Sequence, residues 1–183
     1  MSYEDDPNSN ADTTSNTSSQ PAAKWMALFA WLSAFGLLAW AFSGVLDRQT
    51  NPNQHVQSSV SGQQIEVRLK RNKQGHYVAK GKINGETVTF LVDTGATNVS
   101  IPAHLANKLK VSPQGYGISS TANGEVEIAF TTINTLRLGK IQLNQVSASI
   151  NPGMEGDEIL LGMSVLSQLE FTQKRDWLIL RTF

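Results

Sequence analysis

Thr87-Val-Thr-Phe-Leu-Val-Asp-Thr-Gly-Ala-Thr97 is an apolar run that ends in an acid, a hydroxyl residue and a glycine. The tripeptide Asp93-Thr94-Gly95 alone says little, since chance places it in roughly a few per cent of chains this long. An acid opening a turn after a strand, with a glycine for backbone freedom, is also an ordinary strand exit. The setting adds information. Leu91 and Val92 precede the acid, Ala96 and Thr97 follow the glycine, and Val99-Ser100-Ile101 leads towards a helix expected over 102–109.

Outward from this segment, apolar residues recur with period two. Strands are expected over 65–69, 77–83, 87–92, 126–130, 132–138, 141–150, 159–161 and 177–181. Asn84-Gly85 is a strong type I′ hairpin signal between the second and third of these. Short helices are expected over 102–109, where a proline stands at the start, and over 164–169. Many short strands joined by Gly and Asn turns indicate an all-β domain, closed or sandwich-like, over 65–183. Arg68, Lys70, Arg71 and Lys73 fall on its first hairpin and read as a solvated face.

Before this domain the composition changes twice. Residues 1–23 are rich in Ser, Thr, Asn and Asp and carry too little apolar surface to offset their ordering entropy, so disorder is expected there. Residues 25–46 contain no charge and match the roughly 20 residues needed to cross a bilayer. Lys24 and Asp47-Arg48 bracket this run, and Trp25 and Trp40 suit the interfaces, giving an expected transmembrane helix over 24–46. A signal peptide cleaved near Ala39-Trp40-Ala41 is the competing reading; the long leader with one basic residue favours an uncleaved anchor. Residues 47–64 are polar and read as a linker. A single anchor ahead of a folded domain most simply leaves that domain outside the cytoplasm.

Charge and composition remove several classes. Fifteen Lys and Arg balance fifteen Asp and Glu, so no nucleic-acid partner is expected. There is no cysteine, which excludes disulfide scaffolds, thiolate metal sites and a cysteine nucleophile. His55, His76 and His104 lack ligand spacing, and neither a metal nor an organic cofactor is expected.

The Asp93 segment resembles the catalytic loop of the retropepsin-like aspartic peptidases, both the retroviral enzymes and their bacterial membrane-anchored relatives. A second block, Ile159-Leu160-Leu161-Gly162-Met163 and onward to Leu169, is similar to the family's apolar-apolar-Gly element leading into its C-terminal helix. Between the two, Thr121-Ala122-Asn123-Gly124-Glu125 is similar to the tip of the flap hairpin that covers substrate. The resemblance spans about 76–183 and implies a single-lobe, closed acid-protease barrel with one or two short helices.

It further implies an endopeptidase in which two carboxylates share one proton and activate a water. The chain has one such tripeptide, so a homodimer is implied, with Asp93 from each copy, Thr94 clamping the loops across the two-fold axis and Gly95 giving close substrate access. Ala96 lacks the hydroxyl that pepsin-like enzymes often place next, which implies activity at mildly acidic pH. In retroviral enzymes an acid stands at the place of Thr97 and an arginine at that of Met163, and this chain lacks that ion pair. Asp157, Glu158 and Asp176 read as loop and turn residues. A membrane-tethered module that binds extended peptides without cutting them, and a structural envelope protein, are the alternatives.

Overall fold

A computed structural model of the chain describes residues 21–121 and 124–183. Most of the polar leader, residues 1–20, lies outside the described residues, as do Ala122 and Asn123 of the expected flap tip. The chain divides into two compact units, Met1–Phe42 and Ser43–Phe183.

Helix α1 (Pro21–Thr50) starts before the expected boundary and ends after it. Proline is tolerated in a first turn because its missing N–H has no intrahelical partner there. The Asp47-Arg48 pair does not break the helix, since charge alone removes no backbone hydrogen bond. Within it, Lys24–Phe42 is long and apolar enough to cross a membrane by length and composition. Its large side chains, among them Trp25, Phe29, Trp31, Phe35 and Trp40, are exposed.

The stretch expected as a linker is not one. Asn51 and Asn53 are buried, and strand β1 (Gln57–Ser61) pairs antiparallel with β2 (Gln64–Lys70). Asn53 explains the early order. Its Nδ2 donates to the carbonyls of Lys70 (2.8 Å) and Val78 (2.7 Å), and its Oδ1 accepts from the Lys70 N–H at 2.6 Å. One amide side chain thus stands in for a missing strand neighbour. Polar composition had concealed it, because a polar residue that replaces backbone looks like a solvated one.

Beyond β2 come β3 (Val78–Ile83), β4 (Glu86–Val92), β5 (Val99–Pro102), β6 (Gly115–Thr121), β7 (Gly124–Leu138), β8 (Ile141–Asn151) and β9 (Glu158–Leu161). A short helix α2 (Met163–Leu166) and the hairpin β10 (Glu170–Lys174) and β11 (Trp177–Arg181) complete the domain. A seven-stranded sheet runs β3-β4-β9-β5-β8-β7-β6, and β3 also pairs with β7 at Lys82–Arg137 and Ile83–Leu136. That last pairing joins β3 at one end of the order to β7, next to the other end, so six strands follow one another in a ring and β6 stands outside it. A four-stranded sheet β1-β2-β11-β10 packs beside it through Val67, Leu69, Leu178 and Leu180, all buried in the common core.

Local sequence accounts for most elements. Asn84 and Gly85 adopt φ of 50° and 91°, the left-handed pair that a type I′ turn requires. In β4 the inward residues Val88 and Phe90 are buried, and Phe90 is fully so. Two expected strands, 126–130 and 132–138, are one. Thr131 does not interrupt β7, because its buried hydroxyl donates to the Ser112 carbonyl at 2.8 Å. The expected helix over 102–109 shrinks to a 3-10 turn at Ala103–Leu105. Pro102 instead ends β5, whose four residues are all buried between β8 and β9.

Candidate active site

The apolar run of β4 lies parallel to β9, with Val92 opposite Leu161. This pairing continues one residue further, where the Asp93 N–H donates to the Leu161 carbonyl at 3.2 Å. Asp93 is thereby held at the end of two strands that alternate buried and half-buried positions, while its own side chain stays partly open. Its Oδ1 accepts from the Gly95 N–H at 2.9 Å, and its carbonyl accepts from the Ala96 N–H at 3.3 Å, so the carboxylate's own turn fixes its direction. Gly95 is outside the left-handed region, and a Cβ there would meet only Asp93 Oδ1, at 3.2 Å. What Gly95 provides is an unobstructed floor beside the acid rather than special backbone freedom.

The second apolar-Gly element supports the loop from behind. A Cβ on Gly162 would lie 2.3 Å from the Asn98 carbonyl oxygen and 2.5 Å from that of Ala96, so a side chain has no room there. Through this close approach the loop caps α2. The Met163 N–H donates to the Ala96 carbonyl at 2.8 Å and the Ser164 N–H to that of Thr97 at 2.9 Å. Helix N-termini carry unpaired N–H groups, and here the loop's carbonyls satisfy two of them. Ser164 adds a side-chain tie, accepting from the Val99 N–H (3.1 Å) and donating to the Ser147 carbonyl (2.8 Å). Thr97 and Met163, which lack the charges of their retroviral counterparts, therefore sit in elements joined through backbone.

Asp93, Gly95 and Ala96 open onto a cleft of ≈ 490 Å³ whose walls include Ser100 and Leu160 from the sheet and Ser119 and Val126 from the β6–β7 hairpin. The segment expected as the flap falls on that hairpin. Gly124 pairs with Thr121 at its described end. Thr94 is exposed and, together with Asp93, lines a second, smaller cavity of ≈ 270 Å³ with Tyr77, Leu166 and Phe171. The Tyr77 hydroxyl is buried there without a partner, and burial pushes its pKa above the ordinary phenol value.

Other acids stay apart. Asp157 is exposed and pairs with His104 Nε2 at 2.8 Å. Asp176 lies in the β10–β11 turn and offers its backbone carbonyl to the Arg71 N–H at 2.7 Å. Among the described residues no three His, Asp or Glu side chains converge as a metal site would require. Of the residues singled out in the sequence, Asp93, Gly95 and Ala96 line the cleft and Gly162 does not; Ser100, Ser149, Asn151 and Leu160 line it without having been singled out as site residues. The available signal was a hydroxyl interrupting an apolar strand, in Val99-Ser100-Ile101 and in Ala148-Ser149-Ile150.

Residues 79–168 match the family described as "gag-polyprotein putative aspartyl protease". The solved retropepsin-like aspartic protease from Rickettsia conorii superposes with a TM-score of 0.54 at 26% identity, covering 69% of this chain and 94% of that one. The β-domain is retropepsin-like, both in its fold and in the family that its sequence matches. Among curated proteins, an uncharacterized protein from the cobV 5′ region of a Sinorhizobium species is 35% identical over 117 residues, 62% of this chain and 50% of that protein. An uncharacterized protein of Rickettsia prowazekii is 29% identical over 124 residues, 63% of this chain and 51% of its own length. The matched region thus spans about half of each relative. Family and fold together support a peptidase.

Proposed function

We propose that the chain is an aspartic endopeptidase that works as a homodimer, with Asp93 of each copy forming one active centre. The observation that carries this reading is the Asp93 carboxylate at the edge of a cleft, on a loop fixed by Gly162 and supplied with a single acid. In the dimer one Asp93, ionised, takes a proton from water as the water oxygen bonds to the peptide carbon. The other, protonated, gives its proton to the carbonyl oxygen. As the resulting diol collapses, one of its hydroxyl protons passes to the Asp93 that is now ionised, the other Asp93 gives the proton it took from water to the amide nitrogen, and the C–N bond breaks. Thr94 of each copy hydrogen-bonds its counterpart across the two-fold axis and clamps the two loops, Gly95 gives close substrate access, and the β6–β7 hairpin with Ala122, Asn123 and Gly124 covers the peptide.

The face that would receive the second copy has two supporting features. Thr94 is exposed beside Asp93, and β10 is the outer strand of its sheet with every residue exposed, including Phe171. An open edge is a template for another strand. Antiparallel pairing of two β10 strands about Thr172 would set Glu170 of one copy against Lys174 of the other, an attractive cross-strand pair. Residues 25–46 of α1 would tether the protein as a single-pass anchor in a bacterial inner membrane, with the β-domain outside the cytoplasm.

The test is cleavage of a peptide library by the full chain in detergent micelles, wild type beside Asp93→Asn. Asp93-dependent cleavage that rises faster than linearly with dilute enzyme is the expected result. Peptide binding without cleavage by the wild type would instead identify a recognition module on the same fold.

A further inference from the structure

The cleft floor carries polar side chains for which water activation has no use. Strand pairing sets Leu160 of β9, Ser100 of β5 and Ser149 of β8 side by side, and Asn151 follows on the same face of β8. Ser100, Ser149 and Asn151 are 8%, 5% and 8% exposed, and all three line the cleft. Their hydrogen bonding is incomplete. The Ser100 hydroxyl donates to the Met154 sulfur at 3.2 Å, a weak acceptor, and the Asn151 Oδ1 accepts from the Gly153 N–H at 2.8 Å. The Ser149 hydroxyl and the Asn151 side-chain nitrogen make no hydrogen bond among the described residues.

These atoms open onto the cleft rather than being sealed in the core, where only the Tyr77 hydroxyl is buried without a partner among the described residues, so water completes their bonding until a guest takes its place. These groups therefore suit a guest that completes their bonding. Their surroundings restrict its chemistry. Leu160, Val126, Ile128 and Met154 frame them with apolar surface, and Asp93 is the sole charged residue among those described around the cleft. A long cation or an acid would find no counter-charge beyond the dyad itself. A short stem ending in a hydroxyl or amide would be matched.

We infer that Ser100, Ser149 and Asn151 form a specificity subsite for an uncharged polar side chain of the substrate, Ser, Thr, Asn or Gln, close to the scissile bond. This rests on the peptidase reading above. Sites that hydrogen-bond a substrate group discriminate strongly against the analogue lacking it, because their own polar atoms are then stranded.

The experiment compares near-isosteric peptide pairs, Thr against Val and Asn against Leu, at each position flanking the cleaved bond, using the full chain in detergent micelles. At one position the polar member is expected to show about tenfold higher kcat/KM for each hydrogen bond gained. In the double variant Ser100→Ala with Ser149→Ala this preference is expected to vanish or reverse, with folding checked by circular dichroism. If that variant does not fold, the wild-type profile decides the matter. Asp93-dependent cleavage in which the apolar member is cut equally well or better at every position overturns the subsite and leaves the peptidase reading standing. So does a polar preference that persists unchanged in the folded double variant. Absence of any Asp93-dependent cleavage overturns both.

Discussion

Gly162 lies so close to Ala96 that a Cβ on the glycine would sit 2.5 Å from the alanine's carbonyl oxygen. The neighbouring atom is backbone, which has no rotamer in which to retreat, and the same backbone carries Asp93 three residues earlier. Gly162→Ala is therefore expected to cost at least about 1–3 kcal/mol of stability, the usual range for overpacking. It is also expected to displace the carboxylate and lower activity beyond what the stability loss explains. Gly156→Ala, where a Cβ meets nothing within 4 Å, is the control and is expected to be near neutral. Thermal denaturation of both variants beside the wild type checks this, and equal melting temperatures would contradict it.

Thr94→Ala is expected to weaken self-association while leaving the protomer's melting temperature unchanged. The residue is exposed in the single chain and supports no described neighbour there. Loss of a hydrogen bond at each copy across the axis corresponds to roughly a tenfold or greater rise in the dimer Kd. Sedimentation velocity over a dilution series reads this directly, and an unchanged dimer constant would remove Thr94 from the interface.

Glu66 provides a pH prediction for stability. Hydrogen bonds from Arg181 (2.7 Å) and Arg68 (2.6 Å) hold its carboxyl below the ordinary value of 4.5. A carboxyl depressed in the folded state stabilises the fold above its unfolded value, and that contribution fades as pH falls through the lower folded value. Glu66→Gln is thus expected to lower the melting temperature at neutral pH but to converge with the wild type well below pH 4.5. Parallel curves at all pH values would show that the Arg181 and Arg68 pairs contribute nothing. Because Glu66 and Arg181 are directly opposed on β2 and β11, the effect reports on the smaller sheet.

Asn53→Ala is expected to be among the most damaging substitutions outside the core. It strands the Lys70 N–H and the carbonyls of Lys70 and Val78 in a part-buried setting, at about 1–3 kcal/mol per unsatisfied buried group. A melting temperature within a degree or two of the wild type would show that water replaces the amide without loss.

Where a residue's pattern and its burial agree, sequence reading reached the structure. The expected strand over 177–181 is β11, and Trp177–Arg181 alternates between buried and half-buried positions as a period-two segment does. Asp93 and Gly162 were singled out through the resemblance of the two blocks around them to the retropepsin-like family, since Asp93-Thr94-Gly95 alone says little. Strands β1 and β10 left no such trace. They are exposed along most of their length and are held by backbone pairing, which side-chain periodicity does not record. The cleft floor was hidden for the opposite reason. Ser100 and Ser149 are small enough to pass as ordinary strand residues until their neighbours across β5 and β8 are known.

The bonds of Asn53 also fix where the ordered part of the β-domain begins. Only Asn51 and Pro52 separate the clamped amide from Thr50, whose carbonyl accepts from Asn72 Nδ2 at 2.9 Å. A version of the β-domain trimmed to begin at residue 65 would therefore lose β1 together with the amide that bonds Lys70 and Val78, so the folded unit starts well before its first strongly apolar strand.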